Sequence, residues 1–76
     1  MTPANFERAL QAFTHRKPFK TFLVELVSGE RIQVRHPEAI RLEKGMAVFL
    51  ASTRKFRFFD GECVSQVFDE PDQAQA

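Results

Sequence analysis

The chain has no tryptophan and no tyrosine, and its nine aromatic side chains are all phenylalanine. Tyr and Trp are the usual anchors of half-wet interfaces, whereas Phe contributes burial without a polar handle. Their absence points to a Phe-packed core, with an apolar docking surface formed by some of the Phe residues as the sharper alternative. A single cysteine, Cys63, excludes an intramolecular disulfide. It has no base beside it in sequence and reads as a small buried hydrophobe. His15 and His36 are the only histidines, too few and too far apart to suggest a zinc site. Three glycines form no phosphate-cradling loop, and no cofactor is implied. There is no apolar run long enough to cross a bilayer and no signal peptide, so no membrane role and a cytoplasmic location are expected.

What is present is a globular composition, 43% hydrophobic, in 76 residues. A chain of this size makes one domain and buries only about 60% of its unfolded surface. Without disulfide or metal, its stability must come from packing, with oligomerisation as the natural supplement. The net charge of +1 is unevenly spread. Asp69, Glu70 and Asp72 lie near the end, so residues 1–68 carry eleven basic against seven acidic groups. That mildly basic body permits contact with nucleic acid without demanding it.

The organising stretch is Lys20 to Ile40, KTFLVELVSGERIQVRHPEAI. Phe22, Val24 and Leu26 alternate along one strand, and Ile32 and Val34 along the next. All five stand at even positions. A two-residue turn would pair even with odd positions and put the apolar sets on opposite faces, so an odd loop is required. The three residues Val27, Ser28 and Gly29, with Gly29 at positive φ, set Val24 opposite Ile32 and Phe22 opposite Val34. Leu23 and Val27 are left on the other face and need a cover.

Before this hairpin, Thr2 caps a helix with Pro3 at its first position. Phe6, Ala9, Leu10 and Phe13 form one apolar stripe, giving a helix over 3–15 that must dock on the sheet. After the hairpin, Pro37 cannot donate to a ladder and stops the second strand. Strands are expected at 20–27, 31–36, 40–43, 46–51 and 55–60/63–68. Glu43-Lys44-Gly45 reads as a turn, and Met46 to Ala51 as a central strand covered on both faces. Ser52 to Lys55 reads as a basic loop, and Asp60-Gly61 as a tight turn, with a short helical turn after it as a variant. The polar segment 69–76 is expected to be a disordered tail.

One helix and five short strands with no room for parallel crossovers predict a mainly β domain over 1–68. Its sheet should be five-stranded, antiparallel and strongly bent, an SH3-like or Sm-like small barrel. The run Arg16-Lys17-Pro18-Phe19-Lys20-Thr21-Phe22, the Gly turn and the corner Val34-Arg35-His36-Pro37-Glu38 also resemble a recurring type of small uncharacterised bacterial protein. That resemblance covers most of the chain and implies a fold, not an activity. A weaker resemblance is to Sm-like RNA-binding proteins, which have a helix before five strands and a Gly after the first strand. Where those present Asp and Asn to a base, this chain has His36-Pro37-Glu38, and Cys63 to Phe68 lacks the basic residues of the bacterial Sm-like chaperone.

His36 and Glu38 are the one pair resembling acid–base equipment, and a structural corner is the simpler reading. Arg16, Lys17 and Lys20, then Arg31, Arg35 and Arg41, then Arg54, Lys55 and Arg57 form three basic groups, which a barrel could align into a nucleic-acid stripe or leave as a solvated face. Leu23, Val27, Phe49 and Phe59 are the candidate interface. With no catalytic constellation, the sequence reads as a non-catalytic binding or assembly module, most simply a homodimer, or else bound to another protein. A nucleic-acid binder using its basic face is the alternative.

Overall fold

The computed structural model describes residues 1–51 and 53–70. Helix α1 runs over Pro3–Thr14. It starts where the sequence requires: the Asn5 N–H donates to Thr2 Oγ1 at 3.2 Å, and Pro3, which has no N–H to satisfy, takes the first turn. Phe6 and Leu10 are buried and Phe13 is partly so.

The strands are β1 (Phe22–Leu26), β2 (Arg31–Val34), β3 (Ile40–Glu43), β4 (Met46–Leu50), β5 (Phe56–Asp60) and β6 (Val64–Asp69). They form two antiparallel three-stranded sheets, ordered β2-β1-β6 and β3-β4-β5. The expected single five-stranded bent sheet is therefore corrected, among the described residues, to six strands in two sheets that do not close a barrel. Pro37 is one cause: β2 ends at Val34, and a 3-10 turn over Pro37–Ala39 intervenes before β3 opens the other sheet. The Asp60-Gly61 signal is the second. It does not close a hairpin but leads through a 3-10 turn, Gly61–Cys63, that carries the chain from β5 back to β1.

The first hairpin has the register that parity demands, Phe22 opposite Val34 and Val24 opposite Ile32. Leu26 N–H bonds Glu30 O and Gly29 N–H bonds Leu26 O, both at 2.8 Å, with Gly29 at φ +95°. Between β3 and β4, Lys44 (φ 53°) and Gly45 (φ 83°) make the two-residue turn in which both residues are left-handed. The β4–β5 loop repeats the first: Ala51 N–H bonds Lys55 O at 2.9 Å, Arg54 N–H bonds Ala51 O at 2.8 Å, and Arg54 has φ 68°.

The core lies between the sheets and under α1. Phe22, Val24, Ile32, Val34 and Val64 come from one sheet, and Ile40, Ala47, Phe49 and Phe59 from the other. The helix touches both, with Phe6 and Phe59 ring centroids 6.1 Å apart and Phe13 and Phe22 5.1 Å apart. At its start it sits directly on Gly61, where a β-carbon would lie 3.1 Å from Pro3 Cα and from Phe6 Cβ. Asp69, expected in the tail, is instead the last residue of β6, opposite Phe22, and pairs with Arg16 at 2.7 Å. The remaining tail expectation, 71–76, lies outside the described residues, as does Ser52 of the basic loop.

Candidate interaction surface

The inner face of the β3-β4-β5 sheet is core. Its outer face follows from the register: Met46, Val48 and Leu50 on β4 lie opposite Asp60, Phe58 and Phe56 on β5, and Val48 lies opposite Arg41 on β3. Phe56 is 61% exposed and Phe58 63%, with Met46 and Leu50 also exposed beside them. Isolated exposed apolar side chains are ordinary, but these are cross-strand neighbours forming one patch. The patch sits at a sheet border, because β5 pairs only with β4.

The expected interface residues fall elsewhere. Phe49 and Phe59 are each 8% exposed and belong to the core, because their odd positions face inward, opposite Arg57 and Ala47 respectively. Leu23 is half covered, with Gln33 and Phe68 opposite it, whereas Val27, at the first loop, is 70% exposed. Met46 and Leu50 also depart from the expectation of a strand covered on both faces. Cys63 is exposed rather than buried, since it ends the 3-10 turn, where its carbonyl accepts the Val27 N–H at 2.8 Å. The sequence signal for the Phe patch is divided: Asp60 shares its parity with Phe56 and Phe58, but Arg57 shares its parity with the buried Phe59.

The basic residues do not form one stripe. Arg16 is held at the helix exit, over the Phe13 ring at 4.6 Å and paired with Asp69. Arg31 pairs with Glu25 at 3.2 Å, and Arg41 with Glu43 at 3.1 Å. Arg57 makes a two-pronged pair with Glu30, its second contact at 2.9 Å. Arg35 donates to Gln33 Oε1 at 2.8 Å, and Lys17, Lys20, Arg54 and Lys55 are exposed. Thus four of the cations proposed for phosphate already face a carboxylate.

These pairs shift the carboxylates. The Gln66 amide first, and then the Arg31 guanidinium, hold Glu25 below its ordinary value of 4.5. The Arg57 guanidinium does the same to Glu30, and Glu30 in turn raises Arg57.

Arg31, Arg35 and Arg57 do meet around one groove of about 720 Å³, floored by Ile32, Phe49, Leu50 and Ala51. His36 and Glu38 stand on its rim. His36, Pro37 and Glu38 are all exposed, and a backbone bond from Ala39 N–H to His36 O at 3.0 Å closes the corner. Among the described residues no hydrogen bond or ion pair joins His36 to Glu38, and no three His, Cys, Asp or Glu side chains gather as metal ligands would. No helix there is long and apolar enough to cross a membrane. No family model, curated protein or solved structure matches the chain. Function is therefore read from the surface alone.

Proposed function

We propose that the protein is a non-catalytic assembly module that associates with a second copy of itself through the outer face and border of the β3-β4-β5 sheet. The observation carrying this is the exposed pair Phe56 and Phe58 on a strand whose outer border has no neighbour among the described residues. Phe in water costs free energy that a partner recovers, about 1–2 kcal/mol for each ring covered from this degree of exposure. Association itself costs at least about 4 kcal/mol. The rings alone therefore roughly break even, and Met46, Leu50 and the strand border must supply the surplus.

The element order, with a helix leading and the last strand returning to the first, supports reading the two sheets as an opened relative of the SH3-like and Sm-like small barrels. A cytoplasmic setting suits the exposed Cys63, which stays a free thiol in a reducing compartment. The carboxylate partners of Arg16, Arg31, Arg41 and Arg57 favour assembly over nucleic-acid binding. The test is light scattering after size exclusion, read by refractive index because a chain without Tyr or Trp barely absorbs in the near ultraviolet. A mass twice the 8.8 kDa of one chain is expected. The monomer mass at all concentrations contradicts the proposal.

A further inference from the structure

The four strands at sheet borders are not equally open. β2 is only four residues long, opens on the charged Arg31 and is followed by Pro37. β6 receives the Met1 ammonium at Val64 O and the Arg16 guanidinium at Asp69. β3 is only four residues long and carries the paired charges Arg41 and Glu43 on its outer side. Short strands, charge and proline are how natural borders avoid pairing. β5 has neither proline nor a covering element among the described residues, and its outward side chains are Phe56, Phe58 and Asp60.

Backbone direction along β5 follows from both of its neighbouring turns. In an antiparallel ladder, bonded and non-bonded pairs alternate. The Ala51–Lys55 bond makes Phe49/Arg57 and Ala47/Phe59 the bonded pairs. The two-residue Lys44-Gly45 turn makes Glu43/Met46 a bonded pair, so Met46 and Val48 point their backbone groups at β3, leaving Ala47 and Phe49 for β5. The N–H and C=O groups of Phe56, Phe58 and Asp60 therefore point away from β4, toward the open border.

We infer that β5 pairs with β5 of a second copy, antiparallel across a two-fold axis at Phe58, so that the two three-stranded sheets become one continuous sheet. This rests on the self-association proposed above and specifies its geometry. Centring on Phe58 sets Phe58 against Phe58 of the second copy and Phe56 against its Asp60, so each outward N–H of the strand finds a carbonyl, the Asp60 C=O accepting it beside its place as cap of the Gly61–Cys63 turn. Centring on Arg57 or Phe59 leaves one end of each strand unpaired. The same register brings the basic start of the strand, Arg54 and Lys55, to the acidic end of the other copy, Asp60 and Glu62, and does so twice by symmetry. On the outer face Phe58 and Phe56 of both copies become cross-strand and diagonal neighbours, close enough for ring contact.

Amide exchange on the 15N-labelled full chain reads the pairing residue by residue. Arg57 and Phe59 are protected by β4 in either state. The amides of Phe56, Phe58 and Asp60 should exchange at least about tenfold more slowly at concentrations where the dimer predominates than on dilution to monomer. Two variants test register and polarity: Arg54→Glu with Lys55→Glu makes the strand wholly acidic at its ends, and Asp60→Lys with Glu62→Lys makes it wholly basic. These side chains are exposed, and Asp60 makes no capping bond, so both variants should fold. Each alone should dimerise at least about tenfold more weakly, and an equimolar mixture should recover a heterodimer. A wild-type dimer whose Phe56, Phe58 and Asp60 amides remain fast, or a mixture that recovers nothing, overturns the strand pairing while leaving self-association standing. A wild-type monomer overturns both.

Discussion

Arg54 and Gly29 occupy the same place in two loops of the same construction, each the third loop residue and each at positive φ, 68° and 95°. Glycine reaches that region without cost, whereas a residue with a β-carbon crowds the following carbonyl, at roughly 1 kcal/mol. Arg54 makes no side-chain hydrogen bond or ion pair among the described residues that would repay this. In the monomer, Arg54→Gly should therefore raise stability by up to about 0.5 kcal/mol, the extra unfolded-state freedom of glycine offsetting much of the gain. Urea unfolding followed by circular dichroism measures it, and a lower midpoint would contradict this account of the loop.

At the level of elements, α1 joins the sheets because its start rests on Gly61 and its stripe reaches Phe59 on one side and Phe22 on the other. A methyl at position 61 would meet Pro3 Cα and Phe6 Cβ at 3.1 Å, so the first turn of the helix would have to give by a few tenths of an ångström. Gly61→Ala should cost about 1–2 kcal/mol by lifting the first turn of the helix. Thermal unfolding checks this, and an unchanged or raised midpoint would show that the contact can relax. The helix and the first hairpin were legible in the sequence because their signals are local: a cap, a stripe of period 3.6, and five apolar residues of one parity. The destination of the chain after Asp60-Gly61 was not. That dipeptide marks a change of direction, but whether the next strand lies beside β5 or crosses to β1 depends on the burial of Val64 among residues from far along the chain. The Phe patch was hidden for a related reason. With Phe56, Phe58 and Phe59 on both faces of β5, hydrophobicity names no inner side, and the two charged residues of the strand, Arg57 and Asp60, stand on opposite faces.

In the whole molecule the sheets are tied at one end by Glu30 on the first loop and Arg57 on β5. Arg57 holds the Glu30 carboxyl below its ordinary value of 4.5 in the folded state, and Gln66 and Arg31 do the same for Glu25. A depressed folded-state value means that the contribution to stability is complete above about pH 4.5 and is lost as pH falls from there through the lower folded value. Stability should therefore be level near neutrality and fall on acidification below that point. In Glu30→Gln the fall should be shallower, since one of the two linked carboxylates is gone. Equal acid slopes for the two proteins would contradict the role of the tie.

In the proposed assembly, Phe56 and Phe58 are exposed in one chain because a second copy meets them. Sedimentation equilibrium of Phe56→Ser with Phe58→Ser, beside the wild type and with the thermal midpoint of both monomers recorded, tests it most directly. The wild type is expected to sediment as a dimer and the double variant as a folded monomer. Its midpoint should lie close to that of the wild-type monomer, because both rings are more than half exposed, with only a small loss from uncovering Val48 opposite Phe58. A variant that still dimerises, or one that loses its fold along with its association, would contradict the claim.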